Sequence, residues 1–250
     1  MYPSSNSKDS ATTDRCVVVV CLGNNPLNID TNIKDLVTAV AAHHEQVSFL
    51  VADGLYNLEQ LIPKRTSPSA AKRMALKAGD AMENAIRRVN EAWILSNDVS
   101  AEPFSISRWA AVKDETFDKV FDLAAKYRNR FEHQFRSASE YYIWHRLHIN
   151  KVDNRRLEIF TQYILEELPV QLLGAQLHGE RYSQIYQPVY LQPSQDPMSD
   201  LEKTYYSPIL DLVEAYRNDA EFMREMADLA PGVPLPRLTR LFFDRPMAQD

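Results

Sequence analysis

Along this chain, β-branched apolar runs alternate with stretches whose apolar residues recur every three to four positions. Arg15–Leu22 carries four consecutive valines between two cysteines, the pattern of a strand covered on both faces. Gly23-Asn24-Asn25-Pro26 breaks that run. Asp30 or Thr31 can cap a following helix, which places Ile33, Leu36, Val37 and Val40 on one face. Val47–Ala52 reads as a second strand, ending at Asp53-Gly54. Pro68 and Ser69 open a long helical stretch to about Leu95, and Phe104–Ile106 fits a third strand. Asp114–Arg136 and Arg155–Leu173 have helical periodicity. Gln184–Leu191 reads as a strand, Leu201–Leu229 as helical, and Leu238–Phe243 as a strand that closes the sheet.

Strands alternating with helices predict an α/β fold with a parallel sheet flanked by helices on both faces. Ligands in such sheets bind beyond the carboxyl ends of the strands, so Gly23–Asn28 is the first place to look. A chain of 250 residues, 45% of them hydrophobic, is long enough for a sizeable core. It reads as one Rossmann-like domain over residues 15–250, without internal repeats. Met1–Asp14, rich in Ser, Thr, Asn and Asp, reads as a disordered tail and not as a secretion signal. No apolar run approaches the length of a membrane span. Cys16 and Cys21 are five positions apart, an odd step that puts them on opposite faces of a strand. Unpaired, they fit small buried hydrophobes in a reducing compartment, and hence a cytoplasmic protein.

Net charge is −6, which argues against a nucleic-acid binder, but its distribution is uneven. From Lys126 to Arg156, eight Lys/Arg face three acids; from Gln195 to Asp228, nine acids face three bases. The asymmetry suggests an anionic partner on one side, or simply a solvated helix surface.

Several chemistries are missing from the pattern. There is no glycine-rich dinucleotide or triphosphate loop, no nucleophile elbow, and neither ATP signature of the tRNA synthetases. His145 and His148 share a helical spacing but have no third ligand nearby, a weak basis for a metal site. No cofactor is implied.

The informative segment is Tyr163-Ile164-Leu165-Glu166-Glu167-Leu168-Pro169. A spacing of four puts Tyr163 and Glu167 on one helix face, at the edge of a stripe formed by Leu157, Phe160, Ile164 and Leu168. Both are expected to be partly buried, and a partly dehydrated carboxylate suits a general base. Glu166, turned by about 100°, is expected at the surface. A buried tyrosine hydrogen-bonded to a glutamate, with no catalytic role, fits the same spacing.

Tyr-x3-Glu-x-Pro, followed about twenty residues later by Ile185-Tyr186-Gln187-Pro188, resembles the cyclodipeptide synthases. In that family an apolar strand ends in Gly-x-Ser-x-x-Asn; this chain has Gly23-Asn24-Asn25-Pro26-Leu27-Asn28. A strand ending in Asp53 and a helix bearing Lys72, Arg73, Lys77, Arg87 and Arg88 follow in the same order. The resemblance runs from about Arg15 to Pro188. It implies a Rossmann-like fold similar to the catalytic domain of class I tRNA synthetases. It also implies an aminoacyltransferase of secondary metabolism that joins two aminoacyl groups from charged tRNAs into a cyclic dipeptide, a diketopiperazine. By position, Tyr163 and Glu167 hold the first amino group and move protons, and Tyr186 assists from the facing strand. Gly23, Asn28 and Asp53 belong to the substrate site, and the basic helix binds tRNA phosphate. Asn25 stands where the family has its serine nucleophile, and a neutral amide is not a usable nucleophile under ordinary conditions. A branch that makes arginine-containing cyclic dipeptides is one possible placement. A tRNA- or nucleotide-binding module with altered chemistry on the same fold is the alternative.

Overall fold

The computed structural model describes residues 15–22, 30–62, 66–98, 103–147, 152–191 and 207–244. The tail at Met1–Asp14, the loop residues Gly23, Asn25 and Asn28, and His148 lie outside the described residues.

Five strands form one all-parallel sheet: β1 (Arg15–Val20), β2 (Gln46–Val51), β3 (Phe104–Arg108), β6 (Gln184–Leu191) and β7 (Arg237–Asp244), in the order β3-β2-β1-β6-β7. The β-branched runs of the sequence account for this. β1 is buried on both faces, as is β2 after its first residue, so neither alternates with polar positions. The strand order reverses between β1 and β6, which makes their carboxyl ends the switch point of the sheet.

Helices α1 (Asp30–Ala41) and α3 (Pro68–Asn97) cover one face. Ile33, Leu36, Val37 and Val40 of α1 and Met82, Ile86 and Val89 of α3 meet Cys16, Val18 and Val20 there. On the other face, α4 (Glu115–Tyr127), α5 (Glu132–Leu147), α6 (Asn154–Leu173), α7 (Ser207–Asn218) and α8 (Ala220–Leu229) close over Val17 and Val19. Cys16 is buried in the first core and Cys21 packs against the second, so the two cysteines do face opposite ways. Helix starts follow local chemistry. Ser67 accepts a bond from Ala70 N with Pro68 in the first turn, Asp114 caps Phe117 N at 2.7 Å, and Asp153 caps Arg156 N at 2.9 Å.

Several elements depart from the sequence reading. Asp53-Gly54 does not simply end a strand: it begins a seven-residue helix, α2 (Asp53–Glu59), too short to show a periodic stripe. The helix expected over Asp114–Arg136 is α4, a 3-10 turn at Arg128–Phe131, and α5, which runs on to Leu147. The stretch ending at Leu229 divides at Asp219, whose side chain accepts from Glu221 N and Phe222 N and so starts α8. A small hairpin, β4 (Ala175–Leu177) and β5 (Glu180–Tyr182), is too short to read from pattern alone. The end of α6 agrees with the reading: the helix runs past Pro169 to Leu173 and stops at Gly174. Gly174 has φ +83°, and a Cβ there would lie 2.3 Å from the carbonyl oxygen of Tyr182. The stop is therefore set by glycine conformation and by the hairpin pressed against it.

Part of the uneven charge is met inside the chain. Lys126 pairs with Glu225, Arg130 with Asp219 and Glu221, Arg128 with Glu158, Arg136 with Glu140 and Arg156 with Asp153. Arg155 donates to the carbonyls of Leu61 and Ile62. Two of these cations, Lys126 and Arg130, pair with acids on or just before α8, where α8 packs on α4. Among the described residues no helix is long and apolar enough to cross a membrane.

Candidate active site

Helix α6 carries Tyr163 and Glu167 into the middle of the protein. The sequence placed them at the edge of a stripe, partly buried; they are 1% and 5% exposed. The difference arises because α6 packs against α2, α4, α5 and α7, so its second half is buried nearly all round, from Phe160 to Leu173. Glu166 is not a surface residue either. It is half-buried and paired with Lys113 from the loop before α4.

Donors from α5 and β6 reach Glu167. The hydroxyl of Tyr142 on α5 donates to Oε2 at 3.0 Å, and the amide of Gln187 on β6 reaches Oε1 at 3.4 Å. Tyr142 also stacks on Phe160, with ring centroids 5.6 Å apart, and its ring centroid lies 5.0 Å from that of Tyr163. One turn earlier, Ser139 on α5 meets Thr161 on α6 at 3.2 Å. A carboxylate taken out of water is costly unless hydrogen bonds replace its hydration, and these two donors do part of that. The result is a carboxylate held in a known orientation in a low-dielectric setting, suited to holding an ammonium and then accepting its proton.

The structure brings Tyr163 and Glu167 together but does not bring Tyr186 to them. Side chains alternate along a strand. Ile185 lies in the core that contains Tyr163, whereas Tyr186 packs against the opposite core, beside α1. Its hydroxyl stands 2.9 Å from Nε2 of His44, and burial raises its pKa. The β6 side chain facing Glu167 is Gln187, one residue along.

Asp53 lies at the carboxyl end of β2, as expected for a substrate-site residue, but both its oxygens are engaged by the chain. Oδ2 accepts from Nε and Nη2 of Arg108, and Oδ1 from the backbone N–H of Trp109 at 3.1 Å. On α3, Lys72, Arg73, Lys77, Arg87 and Arg88 all lie on the exposed side, away from Ala71, Ala75 and Met82. Arg87 is tied to Glu83 at 2.6 Å. Burial pushes the Cys16 thiol up to about 12, so it is no substitute for a serine.

Sequence reasoning missed Tyr142 and Gln187. Phe135, Ala138, Tyr142 and Ile143 are buried at helical spacing, a signal that extends the helix past Arg136 and presents Tyr142 to α6. Period-two alternation from Ile185 identifies Gln187 instead of Tyr186.

No sequence profile of a known protein family matches the chain, and no curated protein matches it by sequence. Solved structures do. A cyclodipeptide synthase from Fluoribacter dumoffii superposes with a TM-score of 0.62 at 14% identity, over 92% of this chain and 90% of that one. AlbC, a cyclodipeptide synthase from Streptomyces noursei, gives 0.56 at 14% identity, over 79% and 87%. A cyclodipeptide synthase from Bacillus thermoamylovorans gives 0.54 at 19% identity, over 78% and 81%. The fold of this chain is the one these enzymes have.

Proposed function

We propose that the chain is a tRNA-dependent cyclodipeptide synthase. One observation carries the reading: on a fold shared with solved cyclodipeptide synthases, the glutamate of Tyr-x3-Glu-x-Pro is buried beside its tyrosine and held by two donors. A glutamate that only filled space would be replaced at lower cost by an apolar residue. Here Glu167 holds the ammonium of the first aminoacyl group and takes a proton from it. The freed amine attacks the ester carbonyl of a second charged tRNA. An amide forms, the carbonyl–oxygen bond breaks, and the tRNA ribose leaves as a hydroxyl with the proton. The second amine then attacks the remaining ester carbonyl: the second amide forms, that carbonyl–oxygen bond breaks, the other tRNA leaves with the amine's proton on its ribose hydroxyl, and the six-membered ring closes. Tyr163 packs beside Glu167 and borders the space for the amino group. Lys72, Arg73, Lys77 and Arg88 on the exposed face of α3 offer a surface for tRNA phosphate.

Asn25, a neutral amide at the expected serine position, favours direct attack between two tRNA esters over a covalent acyl-enzyme. The same residue is what supports the second reading, a tRNA-binding module with altered chemistry. An arginine-containing product is the finer proposal. The test is purified protein incubated with mixed charged tRNAs and no ATP, with cyclic dipeptides followed by mass spectrometry. The synthase reading expects a product; tRNA binding without any product favours the binding module.

A further inference from the structure

Gly79 sits in the middle of α3, where glycine weakens a helix. A Cβ built there would lie 2.0 Å from Nη2 of Arg108 and 2.5 Å from its Cζ. The glycine is therefore a notch through which the Arg108 guanidinium crosses the helix. From the notch each guanidinium nitrogen reaches an acceptor. Nε and Nη2 donate to Asp53 Oδ2 at 3.2 and 2.9 Å, Nη2 also to the Leu76 carbonyl at 3.1 Å, and Nη1 to Asp80 at 2.7 Å. Glu83, 3.5 Å from Nη1, also takes Arg87. A planar fork of five donors can serve these groups from one point, which a lysine cannot. The network starts at the carboxyl end of β2 and ends on the turns of α3 next to Lys72, Arg73 and Lys77.

Resting on the synthase reading, we infer that Arg108 is a positioning residue for the charged-tRNA substrate. It fixes the basic face of α3 relative to the catalytic end of the sheet through Asp53 and the Gly79 notch. An apolar stripe alone sets how deep a helix lies; directional bonds at one point also set its roll and its slide along the axis. The donors of Arg108 are occupied within the chain, so it acts by placing α3 and not by touching phosphate.

The test compares Arg108→Gln and Gly79→Ala by direct binding of charged tRNA and by steady-state kinetics. Both variants are expected to weaken tRNA binding and raise KM about tenfold, with kcat at saturating tRNA within about twofold of wild type. Gly79→Ala keeps every charge, so a shared effect on both variants reports geometry. A double variant checks the notch independently of folding yield. Gly79→Ala lowers Tm in the native background, but raises it once Arg108 is alanine, because alanine favours the helix and nothing then fills the notch. Wild type that binds charged tRNA while both variants bind it equally well overturns the inference and leaves the synthase reading standing. Reduced kcat at unchanged KM also overturns it, as does a Tm change of the same sign in both backgrounds. Wild type that binds no charged tRNA overturns both.

Discussion

The hydroxyl of Tyr142 stands 3.0 Å from Oε2 of Glu167, joining α5 to α6 at a buried carboxylate that the sequence singled out. Tyr142→Phe removes that donor and keeps the ring against Phe160 and Tyr163. Leaving a buried carboxylate short of a hydrogen bond costs about 1 to 3 kcal/mol. The expected outcome is a folded protein whose turnover falls about tenfold or more, a loss of transition-state stabilisation read from kcat/KM. Wild-type turnover would show that the bond is not used in the reaction.

Gln187 and Tyr186 test which side of β6 faces the chemistry. Gln187→Ala is expected to lower product formation strongly, because it strips a donor from Glu167. Tyr186→Phe breaks only the bond to His44 and is expected to cost about 0.5 to 1.5 kcal/mol of stability with activity kept. Side-by-side rates and denaturation midpoints decide it; the reverse pattern would put Tyr186 back in the site.

Gly174 limits α6. Its φ of +83° with ψ 172° falls in a region that is essentially glycine-only, and an added Cβ also meets the Tyr182 carbonyl oxygen. Gly174→Ala is expected to destabilise by about 1 to 3 kcal/mol from conformation alone. For a chain of this size that lowers Tm by about 2 to 12 °C. An unchanged Tm in calorimetry would contradict the reason given for the helix stop.

The docking of α8 on α4 predicts a pH dependence. The backbone N–H of Phe222 and the guanidinium of Arg130 hold the Asp219 carboxyl below the ordinary carboxylate range. A lowered folded value means stabilisation that is full above the unfolded value and lost as pH falls through the folded one. Asp219→Asn, which still caps the helix, is therefore expected to be less stable than wild type at neutral pH, with the gap closing in strong acid. A gap that does not change with pH would contradict this.

The sheet was legible because β1 carries an unbroken β-branched run and the other four strands are short apolar or alternating segments bounded by turn and helix signals; all five were located from Arg15, Val47, Phe104, Gln184 and Leu238 onward. That Tyr163 and Glu167 lie one turn apart on the same helix was legible from their spacing. What the pattern could not give was tertiary. Nothing local to α6 reveals that α2, α4, α5 and α7 surround it and bury Glu167. Nor does anything local show that Glu225, Asp219 and Glu221 pair with Lys126 and Arg130. Strand alternation puts Tyr186 on the opposite face of β6 from Ile185, which a motif position alone does not show.

The most direct measurement is the rate of cyclic dipeptide formation from charged tRNAs by wild type, Glu167→Gln and Glu166→Gln, each corrected for folded fraction. Gln keeps the shape of Glu167 but cannot take a proton, and general-base losses run to about a hundredfold or more. The account predicts a product from wild type, nearly none from folded Glu167→Gln, and most of the activity kept by Glu166→Gln, which breaks only the contact to Lys113. No product from wild type with any charged-tRNA mixture, or a Glu167→Gln enzyme as fast as wild type, would contradict it.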